Sequence, residues 1–199
     1  MEKQRQENLL EIIEQFKTIS KEPAEPRFIK SEAFRFELKN GLFVRRERII
    51  KGKNDGSAAI IIPYIGNNIL LVIEPRVFTK SGVGVGFPAG YIEEGEAPVD
   101  AALRELREET GLVPERMELV DSYYQDEGCS SAFNHIFIAY NCKKEFDQDL
   151  DMDEYIRYME FPEEEVFELE REGYINGANA KIGVARIRER IPNNNFNRK

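Results

Sequence analysis

The sequence predicts a mixed α/β domain, and three observations favour this class. Short apolar runs of strand length recur along the chain from residue 58 onward. Segments whose apolar residues have helical spacing lie between and after those runs. The chain has 199 residues, of which 41% are hydrophobic, so it can build a core of ordinary size. We therefore expect one large domain, or one domain with a small extension.

The first 55 residues are predicted to form that extension. Apolar residues at helical spacing between residues 5 and 19 predict a leading amphipathic helix, which the prolines of Lys21–Pro26 end. Residues 28–50 alternate apolar and charged side chains about Asn40-Gly41, a strong signal for a two-residue hairpin turn. The best candidate boundary is Lys51–Gly56. We therefore predict an N-terminal unit of residues 1–55 and a main domain of residues 56–199.

The main domain is predicted to alternate strands with helices. A glycine-rich stretch at residues 80–90 precedes a helix over residues 97–110, and Pro162 opens a last helix that ends near Gly173. A polar loop at residues 125–131 separates the third and fourth strands. The predicted strands are, in order, Ala58–Ile62, Ile69–Ile73, Met117–Tyr124, Phe133–Tyr140 and Tyr155–Phe161.

Composition and charge exclude several classes of protein. The chain has 28 Lys and Arg against 37 Asp and Glu, a net charge of -9, which argues against nucleic-acid binding because phosphate neutralisation needs a basic face. A nucleotide substrate stays compatible, since a divalent metal can bring an anion to an acidic site. Cys129 and Cys142 are expected to be reduced, structural thiols. No apolar run approaches the ~20 residues of a membrane helix, so we expect a soluble cytoplasmic protein.

The segment that carries chemistry is GYIEEGEAPVDAALRELREETGL, from Gly90 to Leu112. On the predicted helix, Glu105, Glu108 and Glu109 are spaced by three and four residues and share one face. Their like charges repel one another, and a hard cation such as Mg²⁺ or Mn²⁺ would relieve that repulsion. The alternative is a solvated acidic face with intervening arginines, but it leaves the adjoining glycines and the spacing unexplained.

The same segment resembles the Nudix box, G-x5-E-x7-R-E-U-x-E-E-x-G-U, in which U is an aliphatic residue. The resemblance implies a Nudix hydrolase, which cleaves a nucleoside diphosphate linked to another moiety. It also implies a mixed sheet between helices, with the box as a loop–helix–loop. All nine specified positions are present: Gly90, Glu96, Arg104, Glu105, Leu106, Glu108, Glu109, Gly111 and Leu112.

Carried over by position, the resemblance assigns roles to five residues. It implies that Glu105 and Glu109 bind the divalent metal and that the carbonyl of Ala89 is an additional ligand. Glu108 would be a further ligand or would assist the attacking water, and Arg104 would orient a neighbouring glutamate. The reaction implied is metal-assisted in-line attack of water at one phosphorus.

The similarity extends to the ADP-ribose pyrophosphatase group of that family. The turn FPAGYIEEGE, the segment from Asp153 onward and the N-terminal strand unit all resemble that group. In relatives, the N-terminal unit exchanges between two subunits and helps to form the adenine site, which implies a homodimer. Arg76 falls where relatives carry an arginine that contacts the substrate phosphates; a surface arginine is the alternative. Phe28 is a candidate for stacking on adenine, with packing in the core as the alternative.

The loop after the box departs from that group. Glu127 stands where the group usually has a proline, and the residue that often acts as general base there falls on Ala132. Asp126 or Glu127 could take over, because a loop carboxylate can reach the attacking water; an ordinary solvated loop is the alternative. The sole histidine, His135, lies in an apolar strand and is expected to be structural.

Three functional hypotheses follow. The first is a Mg²⁺-dependent pyrophosphatase for ADP-ribose or a related nucleoside diphosphate sugar, which would release a nucleoside monophosphate and a sugar phosphate. The second keeps the enzyme class with another nucleotide, such as a dinucleotide or a modified nucleoside triphosphate. The third is a non-catalytic nucleotide sensor on a Nudix fold. Such sensors often lose box glutamates, whereas this chain retains Glu105, Glu108 and Glu109.

Overall fold

A computed structural model describes residues 28–52 and 54–190, which form eleven strands and three helices. The predicted leading helix and the C-terminal tail lie outside the described residues. The strands are β1 (Ile29–Glu37), β2 (Phe43–Lys51), β3 (Ala58–Ile65), β4 (Asn68–Pro75), β5 (Val83–Gly86), β6 (Ala89–Tyr91), β7 (Leu112–Val113), β8 (Arg116–Tyr124), β9 (Phe133–Tyr140), β10 (Lys143–Lys144) and β11 (Arg157–Pro162). The helices are α1 (Pro98–Thr110), α2 (Glu163–Arg171) and α3 (Ala178–Arg190).

A mixed sheet of seven strands forms the centre of the main domain. Its path is β11-β4-β3-β9-β8, with β5 paired to β4 and β6 paired to β3. The β3–β9 pair is parallel and the other pairs of this sheet are antiparallel. Side chains of β3 alternate between two buried clusters, with Ile60 and Ile62 in one and Ala59 and Ile61 in the other. A strand buried on both faces reads as a continuous apolar run, which is why β3 could be predicted from sequence.

Helices cover both faces of this sheet, so the predicted mixed sheet between helices is confirmed. Helix α1 packs Ala101, Ala102 and Leu106 on one face. On the other face, α2 contributes Val166 and α3 contributes Ala180, Val184 and Ile187. No helix within the described ranges combines the length and apolar character that a bilayer crossing requires.

The predicted N-terminal hairpin is present, but its turn is wider than the two residues expected. β1 and β2 pair from Ile29↔Lys51 to Glu37↔Phe43, which leaves a connection of residues 38–42. A tight hairpin turn of the Asn-Gly type needs positive φ at both central residues, and here Gly41 has it (81°) while Asn40 does not. The Asn40 side chain instead accepts a hydrogen bond from the Leu42 N–H (3.1 Å).

The hairpin is attached to the main domain through the loop at residues 125–131. The Ile49 N–H donates to the Cys129 carbonyl (2.7 Å), and Lys51 Nζ donates to Gln125 Oε1 (2.7 Å). These bonds place the hairpin against the loop that carries Asp126 and Glu127. The division into residues 1–55 and 56–199 stays a prediction.

Three features of the main domain were not predicted, the first being the small sheet formed by β7 and β10. The glycine-rich stretch forms the short strands β5 and β6, and helix α3 follows the helix that was expected to be the last. Gly183 lies inside α3, where a Cβ would come within 2.6 Å of the Phe87 ring. The glycine that lowers helix propensity is therefore required for packing, and it weakened the sequence signal.

Gly111 provides a stability test of how the box helix ends. It has φ +69° and ends α1, and a Cβ there would lie 1.9 Å from the Phe146 carbonyl oxygen. We expect Gly111→Ala to lower the free energy of unfolding by about 2 kcal/mol or more, a Tm loss of about 4–8 °C. Gly173→Ala is the matched control, since Gly173 has φ +84° and no neighbour within 4 Å. Equal Tm losses by calorimetry would show that the contact with Phe146 has no effect.

Candidate active site

The Gly90–Leu112 segment forms the loop–helix–loop that its sequence predicted. Strand β6 leads into a loop, and α1 begins at Pro98 and ends before Gly111. A Cβ on Gly90 would lie 1.9 Å from the Glu105 carboxyl group. The Glu105 side chain therefore uses the space that glycine leaves beside the strand, which gives the first box position a steric reason.

Arg104 binds three acidic side chains of the segment at once. Its Nε and Nη2 donate to the two carboxylate oxygens of Glu96 (2.9 and 3.0 Å), and Nη2 also donates to the Tyr91 carbonyl (3.0 Å). Its Nη1 donates to Glu105 Oε1 (2.7 Å) and Glu108 Oε2 (3.1 Å). The hydrogen bonds to Arg104 lower the pKa of Glu96. Arg104 therefore contacts both neighbouring box glutamates and fixes the preceding loop to α1.

Glu109 is buried, although it belongs to the acidic face of α1. It is 5% exposed, and its Oε2 accepts a hydrogen bond from the Ala89 N–H (3.3 Å). Burial raises its pKa well above the usual range, and the charges of Glu105, Glu74 and Glu154 raise it further. The alternative of a solvated acidic face is therefore wrong for this residue.

Glu74 and Glu154 are two acidic residues of this site that sequence reasoning missed. Glu74 lies near the end of β4; burial raises its pKa, and Glu154 adds to that rise through its charge. Glu154 lies in the loop before β11, and its charge acts on Glu105 and Glu109 as well. Both residues lie far from the box in sequence, so no local spacing could have connected them with it.

These carboxylates fit a hard divalent cation in chemistry, although they do not yet surround a common point. Within the described ranges, no three acidic, histidine or cysteine side chains converge as a ready metal site. Arg104 holds Glu105 and Glu108, while Glu109 is buried among like charges. Carboxylate oxygens are the donors that Mg²⁺ and Mn²⁺ prefer, and a cation would relieve the repulsion. The residues therefore fit such an ion if Glu105 turns away from Arg104.

Arg76 and Phe28, the two candidates for substrate binding, both lie near Tyr91. Arg76 pairs with Glu74, and its Cγ would lie 2.7 Å from a Cβ on Gly84. Burial raises the pKa of Tyr91, and the nearby Arg76 charge opposes that rise. Phe28 is 51% exposed and meets the Tyr91 ring edge-on, with centroids 5.9 Å apart. Core packing is therefore the wrong interpretation of Phe28. Tyr91 occupies a variable position of the box, so no sequence pattern could have selected it.

The structure places Asp126 and Glu127 beside the N-terminal hairpin. Asp126 accepts hydrogen bonds from Cys129 Sγ (3.0 Å) and the Gly128 N–H (3.2 Å), which lower its pKa. Glu127 lines an open groove with Phe34, Phe36 and other residues of the hairpin and loop, and no box residue lines that groove.

The remaining sequence candidates occupy ordinary structural positions. Ala132 is fully buried. His135 Nδ1 lies 2.9 Å from Ser122 Oγ, and burial lowers its pKa. Cys129 and Cys142 are both free thiols, as predicted.

Comparison with known proteins identifies the family. The NUDIX domain model matches residues 55–179, so the chain belongs to the Nudix family and is a Nudix hydrolase. The methanol dehydrogenase activator of Bacillus methanolicus is 33% identical over 159 residues, covering 79% of this chain and 84% of that protein. The ADP-ribose pyrophosphatase of Bacillus subtilis (strain 168) is 32% identical over 134 residues, covering 67% and 70%.

A solved structure supports the fold independently. The crystal structure of an ADP compounds hydrolase superposes with a TM-score of 0.72 at 24% sequence identity, covering 84% of this chain and 88% of that one. This likeness confirms the predicted mixed sheet between helices.

Proposed function

We propose that this Nudix hydrolase splits the diphosphate of ADP-ribose or a related nucleoside diphosphate sugar, with Mg²⁺ or Mn²⁺ as its metal. The products would be a nucleoside monophosphate and a sugar phosphate. The observation that carries the proposal is the burial of Glu109 among like-charged carboxylates. One of these, Glu74, pairs with Arg76, which is a candidate for binding phosphate. The relative named ADP-ribose pyrophosphatase supports the substrate class.

In this proposal Glu105, Glu108 and Glu109, with the Ala89 carbonyl, hold the metal. The cation would neutralise phosphate oxygens and activate a water for attack. Arg104 already contacts Glu105 and Glu108, so it would keep both carboxylates near the site in the metal-free enzyme. After metal binding it would still hold Glu96. Glu109 is fixed beside β6 by the Ala89 N–H, which orients one of its oxygens before metal binds.

We also propose Glu154 as the general base, beside the two loop candidates Asp126 and Glu127. A base must reach the attacking water, and Glu154 lies near enough to the box for its charge to contribute to the raised pKa of Glu105 and Glu109. Glu154 is exposed on its loop, so water can approach its carboxylate. By contrast, Asp126 is held by its own loop and Glu127 lines the groove of the hairpin.

The order of residues beyond the carboxylates suits a nucleoside diphosphate. Arg76 stands next to Glu74 and would bind the phosphates with its planar guanidinium. Tyr91 lies near Arg76, and Phe28 lies against Tyr91 with half of its surface exposed. Two neighbouring aromatic rings beyond a phosphate-binding cation suit a planar base.

The exposed hairpin supports the proposal of a homodimer. Phe34, Phe36, Leu42 and Phe43 are all exposed large apolar side chains on β1, β2 or their connection. A second copy of the chain would cover them. Deleting residues 1–50 should therefore lower the oligomeric mass measured by light scattering from two chains to one. An unchanged mass would refute a dimer built on this unit.

The test of the proposed function is hydrolysis of a substrate panel. The panel contains ADP-ribose, other nucleoside diphosphate sugars, dinucleotides and nucleoside triphosphates, each with Mg²⁺, with Mn²⁺ and with a chelator. We expect the highest kcat/KM for ADP-ribose or a related sugar and no turnover with the chelator. Arg76→Ala should raise KM for the preferred substrate, with Arg116→Ala as a control on the far edge of the sheet.

Other results on the same panel would support the other hypotheses. Preference for a dinucleotide or a triphosphate would mean that the altered loop around Glu127 has changed selectivity. Tight binding without turnover would indicate a nucleotide sensor. The relative named methanol dehydrogenase activator makes an action on another enzyme a further outcome to examine in that case.

A further inference from the structure

Strand β10 and the loop that follows it bind the carbonyl groups at the end of the box helix. The Asp149 N–H donates to the Glu108 carbonyl (2.9 Å), Gln148 Nε2 to the Glu109 carbonyl (2.6 Å) and Lys144 Nζ to the Thr110 carbonyl (2.7 Å). The last carbonyls of a helix lack partners within the helix. This segment supplies them, so it is docked against the residues that carry the box glutamates.

Gln148 also bonds to the backbone of the segment that carries Glu154. The same Nε2 atom donates to the Ile156 carbonyl (3.2 Å), two residues beyond Glu154. Ile156 is buried in the same apolar cluster as α1, so packing holds its backbone in place. One side chain therefore joins the Glu109 backbone to the backbone beside Glu154.

The contacts of Glu154 itself are local. Its N–H donates to the Asp151 carbonyl (3.0 Å), and its carboxylate accepts from the Asp151 N–H (3.2 Å). These bonds close a small turn, but they do not fix that turn relative to α1. A carboxylate on an exposed loop needs such a connection to stay aligned with the box glutamates.

We propose that Gln148 is a positioning residue, which holds Glu154 in register with the box glutamates through its bonds to the Glu109 and Ile156 carbonyls. The inference rests on the proposed function, in which Glu154 is the general base. Gln148 touches neither substrate nor metal. Its effect should therefore appear in kcat, and it should depend on Glu154 being present.

The first measurement compares Gln148→Met with Lys144→Met. Methionine keeps the side-chain length of glutamine and removes both N–H donors. Lys144→Met removes a neighbouring bond to the helix and a bond to the Tyr158 hydroxyl of β11, without touching Ile156. For Gln148→Met we expect a roughly tenfold lower kcat with KM for ADP-ribose changed less than about twofold. Lys144→Met should lower kcat by less than about threefold. Equal losses in the two variants would overturn the proposal.

The decisive measurement is a double-mutant cycle with Glu154→Gln. If Gln148 acts by positioning Glu154, Gln148→Met should cost less than about twofold in the Glu154→Gln background. A full tenfold loss there would mean that Gln148 acts on the helix alone and would overturn the inference. A Glu154→Gln enzyme with the wild-type rate would overturn it too, together with the assignment of the base, while metal-dependent hydrolysis would stand.

Hydrogen exchange keeps the inference testable even if no substrate is turned over. Exchange of the backbone N–H groups of residues 151–156 should become faster in Gln148→Met and stay unchanged in Lys144→Met. Unchanged exchange in both variants would refute the positioning role, whatever the activity. If the wild type turns over no substrate but exchange is still faster in Gln148→Met, the link from Gln148 to the Glu154 segment would be supported. The proposed function would then be the part that fails.

Discussion

Glu109→Gln is expected to lower kcat by about a thousandfold and, at the same time, to raise the Tm of the metal-free protein. The loss of rate follows because Glu109 is the most buried box carboxylate and is assigned to the metal. Several kcal/mol of transition-state stabilisation correspond to roughly three decades in rate. The gain in stability follows because the substitution removes a buried charge that faces other carboxylates.

The sign of the stability effect depends on pH. Burial, followed by the charges of Glu105, Glu74 and Glu154, raises the pKa of Glu109 in the folded state above that in the unfolded chain. The folded state therefore binds the proton more tightly, so stability is full below the ordinary glutamate pKa and is lost as the pH rises through the raised value. Glutamine has no such loss. At neutral pH we expect a Tm about 2–4 °C above the wild type, which corresponds to about 1 kcal/mol in a domain of this size.

The measurement is calorimetry from pH 4 to 8, with and without Mg²⁺. Added Mg²⁺ should raise the Tm of the wild type and have a much smaller effect on the variant. Glu94→Gln is the matched control, because it makes the same charge change at an exposed position in the box loop. A Glu109→Gln enzyme with full turnover, or one destabilised at neutral pH, would contradict the assignment.

The box could be predicted from sequence because its constraints are local. Three glutamates at helical spacing share a face wherever the helix lies. Gly90 leaves room for Glu105 of the same segment, and Gly111 ends the helix with a positive φ. The structure adds what spacing cannot give, which is burial. Spacing alone left a solvated acidic face open as the alternative, since an acidic helix face has the same pattern whether water or a sheet lies against it.

Residues that reach the site from other elements could not be predicted in the same way. Glu74 and Glu154 come to the box through the pairing of β4 with β11 and the loop before it, a long-range contact with no local pattern. Tyr91 occupies a box position that any residue can fill, and its contact with Phe28 depends on where the hairpin docks. The turn at Asn40-Gly41 was read from a dipeptide alone, whereas the strand register decided its width.

Glu154→Gln is expected to lower kcat by about a hundredfold or more and to leave KM for the preferred substrate nearly unchanged. General-base catalysis by a positioned side chain contributes typically about 10²–10⁴ in rate, and glutamine keeps the shape of glutamate without accepting a proton. Glu154 is exposed, so the substitution should leave the Tm of the protein nearly unchanged. This distinguishes it from Glu109→Gln, which should change both rate and stability.

Three carboxylates compete for the role of base, and one set of variants separates them. Glu154→Gln is compared with Asp126→Asn and Glu127→Gln under saturating Mg²⁺, and Asp153→Asn serves as the adjacent control with the same charge change. If the base faces the box glutamates, the large loss of kcat belongs to Glu154→Gln, and the pH–rate profile loses its acidic limb in that variant. A large loss in Glu127→Gln instead would assign the base to the loop held by the N-terminal hairpin. Catalysis would then depend on the docking of that hairpin, because Ile49 and Lys51 hold the loop through its backbone and through Gln125.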